Sequence, residues 1–130
     1  MAKSSTSRRA NPMSEVWNPT EVEQKIREIS GRIANGVAVC DRTYRAHLDA
    51  QRSYDAAFAR AYMAHAGAAH EKRYAAELAT TEKRETRDTA DAAYRYADRQ
   101  AKALTEELRA MQSVGASIRA MYQTAGRGES

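Results

Sequence analysis

The chain has 130 residues, of which 42% are hydrophobic and 29% charged, with a formal net charge of +4; that length allows one domain at most. Many of the apolar residues are alanine and only one is Phe and one Trp, which argues against a compact globule built on large side chains and for long helices packed through narrow stripes. Half of the basic excess comes from Lys3, Arg8 and Arg9 against Glu15, so the rest of the chain lacks the dense cationic cluster of a strong phosphate-binding surface.

Residues 1–19 read as a disordered basic lead, with Met13 an alternative start to Met1. The stretch has no hydrophobic segment of a secretory signal, no membrane-length apolar run follows, and Cys40 has no second cysteine to pair with. The expected location is therefore the cytoplasm, without a membrane association.

A first helix is expected from Thr20, where Thr20 and Glu23 have the spacing of a capping box and Pro19 precedes the cap. Its larger residues fall at Val22, Ile26, Ile29, Ile33, Val37, Cys40, Tyr44 and Leu48, resuming at Phe58 and Tyr62. Those steps of three and four close on 11 rather than 7 residues, predicting a stripe that runs nearly straight or slightly right-handed. Gly31 and Gly36 interrupt this helix at a cost of up to about 1 kcal/mol each, and read as local tolerance or close helix approach. A row of small residues, Ala46, Ala50, Ala57, Ala61 and Ala64, lies on a neighbouring face and is the expected oligomer or partner face.

The corner is expected at 66–70, around Gly67. His65 and His70 flank it, but five residues of helix turn two side chains well apart, so they read as solvated or capping residues and not as a metal pair. Neither a metal nor another cofactor is expected, and Cys40 with His47 reads as packing.

A second helical pattern carries Tyr74, Leu78, Ala90, Ala93, Ala97, Ala101, Leu104, Leu108, Met111, Ile118 and Tyr122, and stops near Gly126 and Gly128. Folding the chain at the corner pairs residues whose numbers add to about 136, so that large residues meet large ones and polar stretches meet polar ones. Tyr62 is matched with Tyr74, Phe58 with Leu78, Ile29 with Leu108 and Val22 with Val114. The predicted fold is thus all-α: an elongated antiparallel two-helix hairpin, coiled-coil-like, over 20–122, with 123–130 a frayed tail. Arms of that length reach roughly 70 to 80 Å. One hairpin buries little, so dimerisation into a four-helix bundle is expected, with a foreign protein the rival occupant of the small-residue face.

Arg and Tyr interleave at Arg42, Tyr44 and Arg45 and again at Tyr94, Arg95, Tyr96 and Arg99. These residue types stack on single-stranded bases while neutralising phosphate, but also serve as packing tyrosines and as arginines paired with Asp41, Asp91 and Asp98. No glycine-rich phosphate loop, nucleophile elbow or dense His/Cys cluster occurs, so no catalytic residue is assigned and no enzyme is expected.

The run AYMAHAG followed by TTEKRETRDTADAAYRYADRQAKALTEELRAMQS resembles small helical accessory proteins of tailed bacteriophages and prophages, over residues 20–122. The resemblance implies an accessory factor of DNA metabolism, of host-protein modulation or of assembly, and transfers no site residue. It also makes the expected cytoplasm that of a bacterial host cell. The function expected is non-enzymatic protein–protein interaction as an adaptor, with itself and with another phage or host protein as partners. Single-stranded nucleic-acid binding through the Arg/Tyr segments is the alternative, and a virion structural or assembly role the second.

Overall fold

The computed structural model describes residues 17–128, so the basic lead over 1–16, including Met13, lies outside the described residues. Three α-helices follow one another: α1 (Pro19–Ala64), α2 (Ala69–Ala79) and α3 (Thr81–Gly128). No helix among the described residues is long and apolar enough to cross a membrane.

Helix α1 opens two residues earlier than its Thr20/Glu23 spacing predicts. Asn18 is the cap: its Oδ1 accepts the backbone N–H of Glu21 at 2.8 Å, and Glu21 Oε1 accepts that of Asn18 at 3.1 Å. Pro19 occupies the first helical position, where its fixed φ is favourable and its missing N–H would have no partner in any case. At the other end α1 stops at Ala64 and α2 begins at Ala69, with Gly67 between them at φ 134°. A Cβ at Gly67 would meet the Glu71 carboxyl, the free end of a flexible side chain, so it is the backbone angle that requires glycine there.

The second helical pattern is two helices rather than one. The break falls at Thr80, which is 1% exposed with φ −113° and ψ 20°. Its hydroxyl donates to the Ala76 carbonyl at 2.7 Å, while the Arg84 guanidinium donates to the Glu77 carbonyl at 2.7 Å. Side chains thereby satisfy carbonyls at the α2 end. Helix α3 then runs past Tyr122 to Gly128.

The chain divides into two compact units. In the first, which joins residues up to Ser30 with those from Glu107 onward, Val22, Ile29, Met111 and Ile118 are buried. The two helices approach closely enough that a Cβ on Gly115 would stand 3.2 Å from Val22 Cγ1. In the second unit, Gly31–Glu106, the buried residues are Ala76, Thr80, Ala97 and Leu104. Here α1 and α3 run antiparallel, as three contacts of opposite order show: Tyr44 meets Tyr94 with ring centroids 5.1 Å apart, His47 Nδ1 lies 3.9 Å from Asp91 Oδ1, and Lys83 Nζ donates to Ser53 Oγ at 2.9 Å. Cations on rings add to the attachment: Arg87 stands 4.4 Å from the Tyr54 centroid and Lys72 5.7 Å from that of Tyr62.

The inward faces differ from the expected stripes. Val37 is 67% exposed, and Gly36 is half-buried in its place. Buried or half-buried positions on α1 recur every seven residues at Val22, Ile29, Gly36, Thr43, Ala50 and Ala57, and also every eleven at Ile29, Cys40, Gln51 and Tyr62, so the buried face of α1 is broader than one stripe. On α3 the buried residues Ala97, Leu104, Met111 and Ile118 recur every seven as well. In α2 the matches of Tyr74 with Tyr62 and of Leu78 with Phe58 fail: Tyr74 is 54% and Leu78 79% exposed, whereas Ala76 and Thr80 are buried. At Ala76 and Thr80, 0% and 1% exposed, the seam is closed and larger side chains such as Tyr74 and Leu78 stand outside it. At Gly36 the seam is open instead, since a Cβ there would meet nothing within 4 Å.

Candidate functional site

Seven-residue recurrence places small residues along the seam of the second unit, and the seam is therefore lined by depressions. The larger is a groove of about 600 Å³ between α1 and α3. It is lined by Gly36, Val39 and Thr43 from α1 and by Ala93, Tyr96, Ala97, Ala101 and Leu104 from α3, with Arg32, Asn35 and Gln100 as its other polar members. Thr43 does not offer its hydroxyl to the groove as an unpaired donor, because that group donates to the Val39 carbonyl at 2.8 Å. Tyr96 is 61% exposed, and its hydroxyl accepts a hydrogen bond from Gln100 Nε2 at 2.7 Å. A Cβ built on Gly36 meets nothing within 4 Å. A largely apolar concavity with a few convergent polar groups is the form of a binding site.

The second depression is polar and lies on the other flank of the same two helices. Tyr44 and His47 from α1 and Asp91, Tyr94, Arg95, Asp98 and Arg99 from α3 surround about 310 Å³. The flanks differ because helical positions one residue apart diverge by about 100°, so Tyr94 and Tyr96 cannot face the same way. His47 packs nearly parallel to Tyr94, 14° between ring planes, and its Nδ1 is buried with no hydrogen-bond partner. Arg95 Nε bonds Asp91 Oδ2 at 2.9 Å and Lys102 Nζ pairs with Asp98 Oδ2 at 3.0 Å.

Of the seven Arg and Tyr residues singled out by sequence, four converge here: Tyr44, Tyr94, Arg95 and Arg99. Tyr96 belongs to the apolar groove instead, Arg45 is exposed and held by Asp41 at 3.0 Å, and Arg42 is exposed outside both depressions. The small-residue row is divided: Ala46 and Ala64 are exposed, while Ala50, Ala57 and Ala61 are half-buried within the chain. His65 and His70 are both exposed; His70 lines a small depression with Tyr62, Ala69 and Arg73. Among the described residues no group of three His, Cys, Asp or Glu side chains is placed to hold a metal ion.

Sequence reasoning missed the apolar groove and the place of His47 in the polar cleft. The signal for the groove was present, since Gly36 and Thr43 continue the seven-residue spacing of Val22 and Ile29. It was hidden because a search for large apolar residues selects Val37 over Gly36. Compared with known proteins, the chain matches no family model, no curated protein sequence and no solved structure.

Proposed function

We propose that this chain is a non-enzymatic interaction protein: an antiparallel helical hairpin that pairs with a second copy into a four-helix bundle and acts as an adaptor for another protein. The observation that carries this reading is the inversion of burial in the second unit. Small residues take the seam, while Val37, Leu78 and Tyr96, all more than half exposed, stand outside it. Large apolar side chains left in water are a favourable contact surface for a second chain. A role as a phage-type accessory factor agrees with the helical character and rests on the resemblance alone.

The second reading, binding of single-stranded nucleic acid, is favoured by the convergence of Tyr44, Tyr94, Arg95 and Arg99 on one cleft. Asp91 and Asp98 line that cleft as well, and their carboxylates oppose phosphate. That opposition ranks it below the adaptor reading.

Sedimentation equilibrium over a range of concentrations, with and without a labelled single-stranded oligonucleotide at low and physiological salt, separates the two. The adaptor reading expects a concentration-dependent dimer indifferent to the oligonucleotide. Oligonucleotide binding that falls steeply with salt and is lost in Tyr44→Ala/Tyr94→Ala supports the second reading, because release of counterions from phosphate has that salt dependence. A monomer at tens of micromolar that ignores the oligonucleotide refutes the dimer and the nucleic-acid binder together.

A further inference from the structure

The phase of the seam does not require the break at Thr80. Ala76 keeps the seven-residue spacing of Ala97 and Leu104, and Thr80 that of Arg87, Tyr94 and Ala101, all of them buried or half-buried. One unbroken helix in place of α2 and α3 would therefore present the same inward face. Yet the chain forms two helices there, and a helix gives up backbone bonds only where other donors take its carbonyls.

Side chains take them here. In an unbroken helix the Glu77 carbonyl accepts the N–H of Thr81; in this chain it accepts the Arg84 guanidinium at 2.7 Å. The Leu78 carbonyl accepts the Thr81 hydroxyl at 3.1 Å. Thr80 divides its donors between two carbonyls: its N–H lies 3.1 Å from that of Ala76 and 3.4 Å from that of Glu77, and its hydroxyl 2.7 Å and 3.4 Å from the same two. Bonds shared between the third and fourth preceding carbonyls stand midway between a tight turn and an α-helix. Closing the ladder would exchange side-chain bonds for backbone ones, a trade of like for like.

We propose that the α2–α3 junction is a bend poised to close, with Arg84 as the pin that holds it open. The hydroxyls of Thr80 and Thr81 bond carbonyls three and four residues back, which such groups also reach inside a straight helix. Arg84 alone among these side chains spans the break, seven residues from α3 back to α2, and its charge strengthens the bond. The element that moves is α2. Its Ala69, His70 and Arg73 line a depression of about 340 Å³ with Tyr62 of α1, and its Lys72 stands 5.7 Å from the Tyr62 ring centroid. Closing the bend changes the distance of these residues from Tyr62, so the state of the break sets the shape of that depression.

The test uses the full chain with Cys40→Ala, spin-labelled at Tyr74→Cys and Ala92→Cys, two exposed positions on one helix face. In one straight helix these positions stand about 27 Å apart. With Arg84 in place the labels are expected off that distance. Arg84→Met, which keeps an apolar stem and removes the donors, is expected to move them toward it. In the same variant, without labels, hydrogen exchange at the Thr81 amide is expected to slow by about tenfold or more, because closure gives that N–H the Glu77 carbonyl. A straight-helix distance with Arg84 present overturns the bend. Either readout left unchanged by Arg84→Met overturns the pin. A variant that loses helix by circular dichroism also overturns the proposal, because Arg84 would then support the fold and not hold a bend open.

Discussion

The two units of the chain bury different kinds of residue with the same helices. The first closes on Val22, Ile29, Met111 and Ile118; the second closes on Ala76, Thr80 and Ala97, with Leu104 its largest buried side chain. Branched and long side chains fill the seam in one case; in the other only Leu104 among them is buried, while Ile33, Leu48, Phe58 and Tyr62 are half-buried and Val37 and Leu78 exposed. Rings under cations and a Tyr–Tyr contact add to the attachment in the second unit. The difference teaches that burial in this chain follows spacing before it follows size. Positions seven residues apart face the seam whatever occupies them, and their occupants decide whether the result is a filled core or a groove.

The largest effect that would break this comparison belongs to the first unit. Ile29 is fully buried, and Ile29→Ala is expected to destabilise the chain by about 2 to 5 kcal/mol through lost transfer energy and the cavity left behind. Denaturant titration followed by helical circular dichroism measures it. A loss below about 0.5 kcal/mol, the scale of a surface change, would mean that the first unit is not a filled core.

An intermediate effect is expected from adding volume to the second unit. Ala76 is 0% exposed beside the Thr80 break, so Ala76→Leu introduces three carbons where none fit and should cost about 1 to 3 kcal/mol. By the same titration, a neutral or stabilising result would show that the seam there has unused space and that small residues are not required by close approach.

The smallest effect sharpens the contrast most. Leu78 would be a core residue on a reading by hydrophobicity, yet it is 79% exposed; Leu78→Ser is expected to change stability by no more than about 0.5 kcal/mol. A loss of several times that size in the dilute chain would restore Leu78 to the seam and reverse the phase assigned to α2.

Sequence alone determined that the chain is helical, that it turns near Gly67, and that Val22, Ile29, Leu104 and Met111 belong to the seam. Helical propensity, glycine at a positive φ, and large apolar residues at helical spacing are local properties, and they survive into the folded chain unchanged. Only the tertiary structure decided that Asn18 rather than Thr20 caps α1, that Thr80 divides the second arm, and that Gly36, Ala76 and Thr80 take inward positions that Val37, Tyr74 and Leu78 were expected to fill. The cap is a local choice between two overlapping boxes, settled by the reciprocal Asn18–Glu21 bonds; the burial of Ala76 and Thr80 instead depends on how the helices pack, which is set by side chains far away in the chain. The Arg and Tyr segments divide for the same reason: Tyr94 and Tyr96 are two residues apart in sequence, but helical rotation sends one to the polar cleft and the other to the apolar groove.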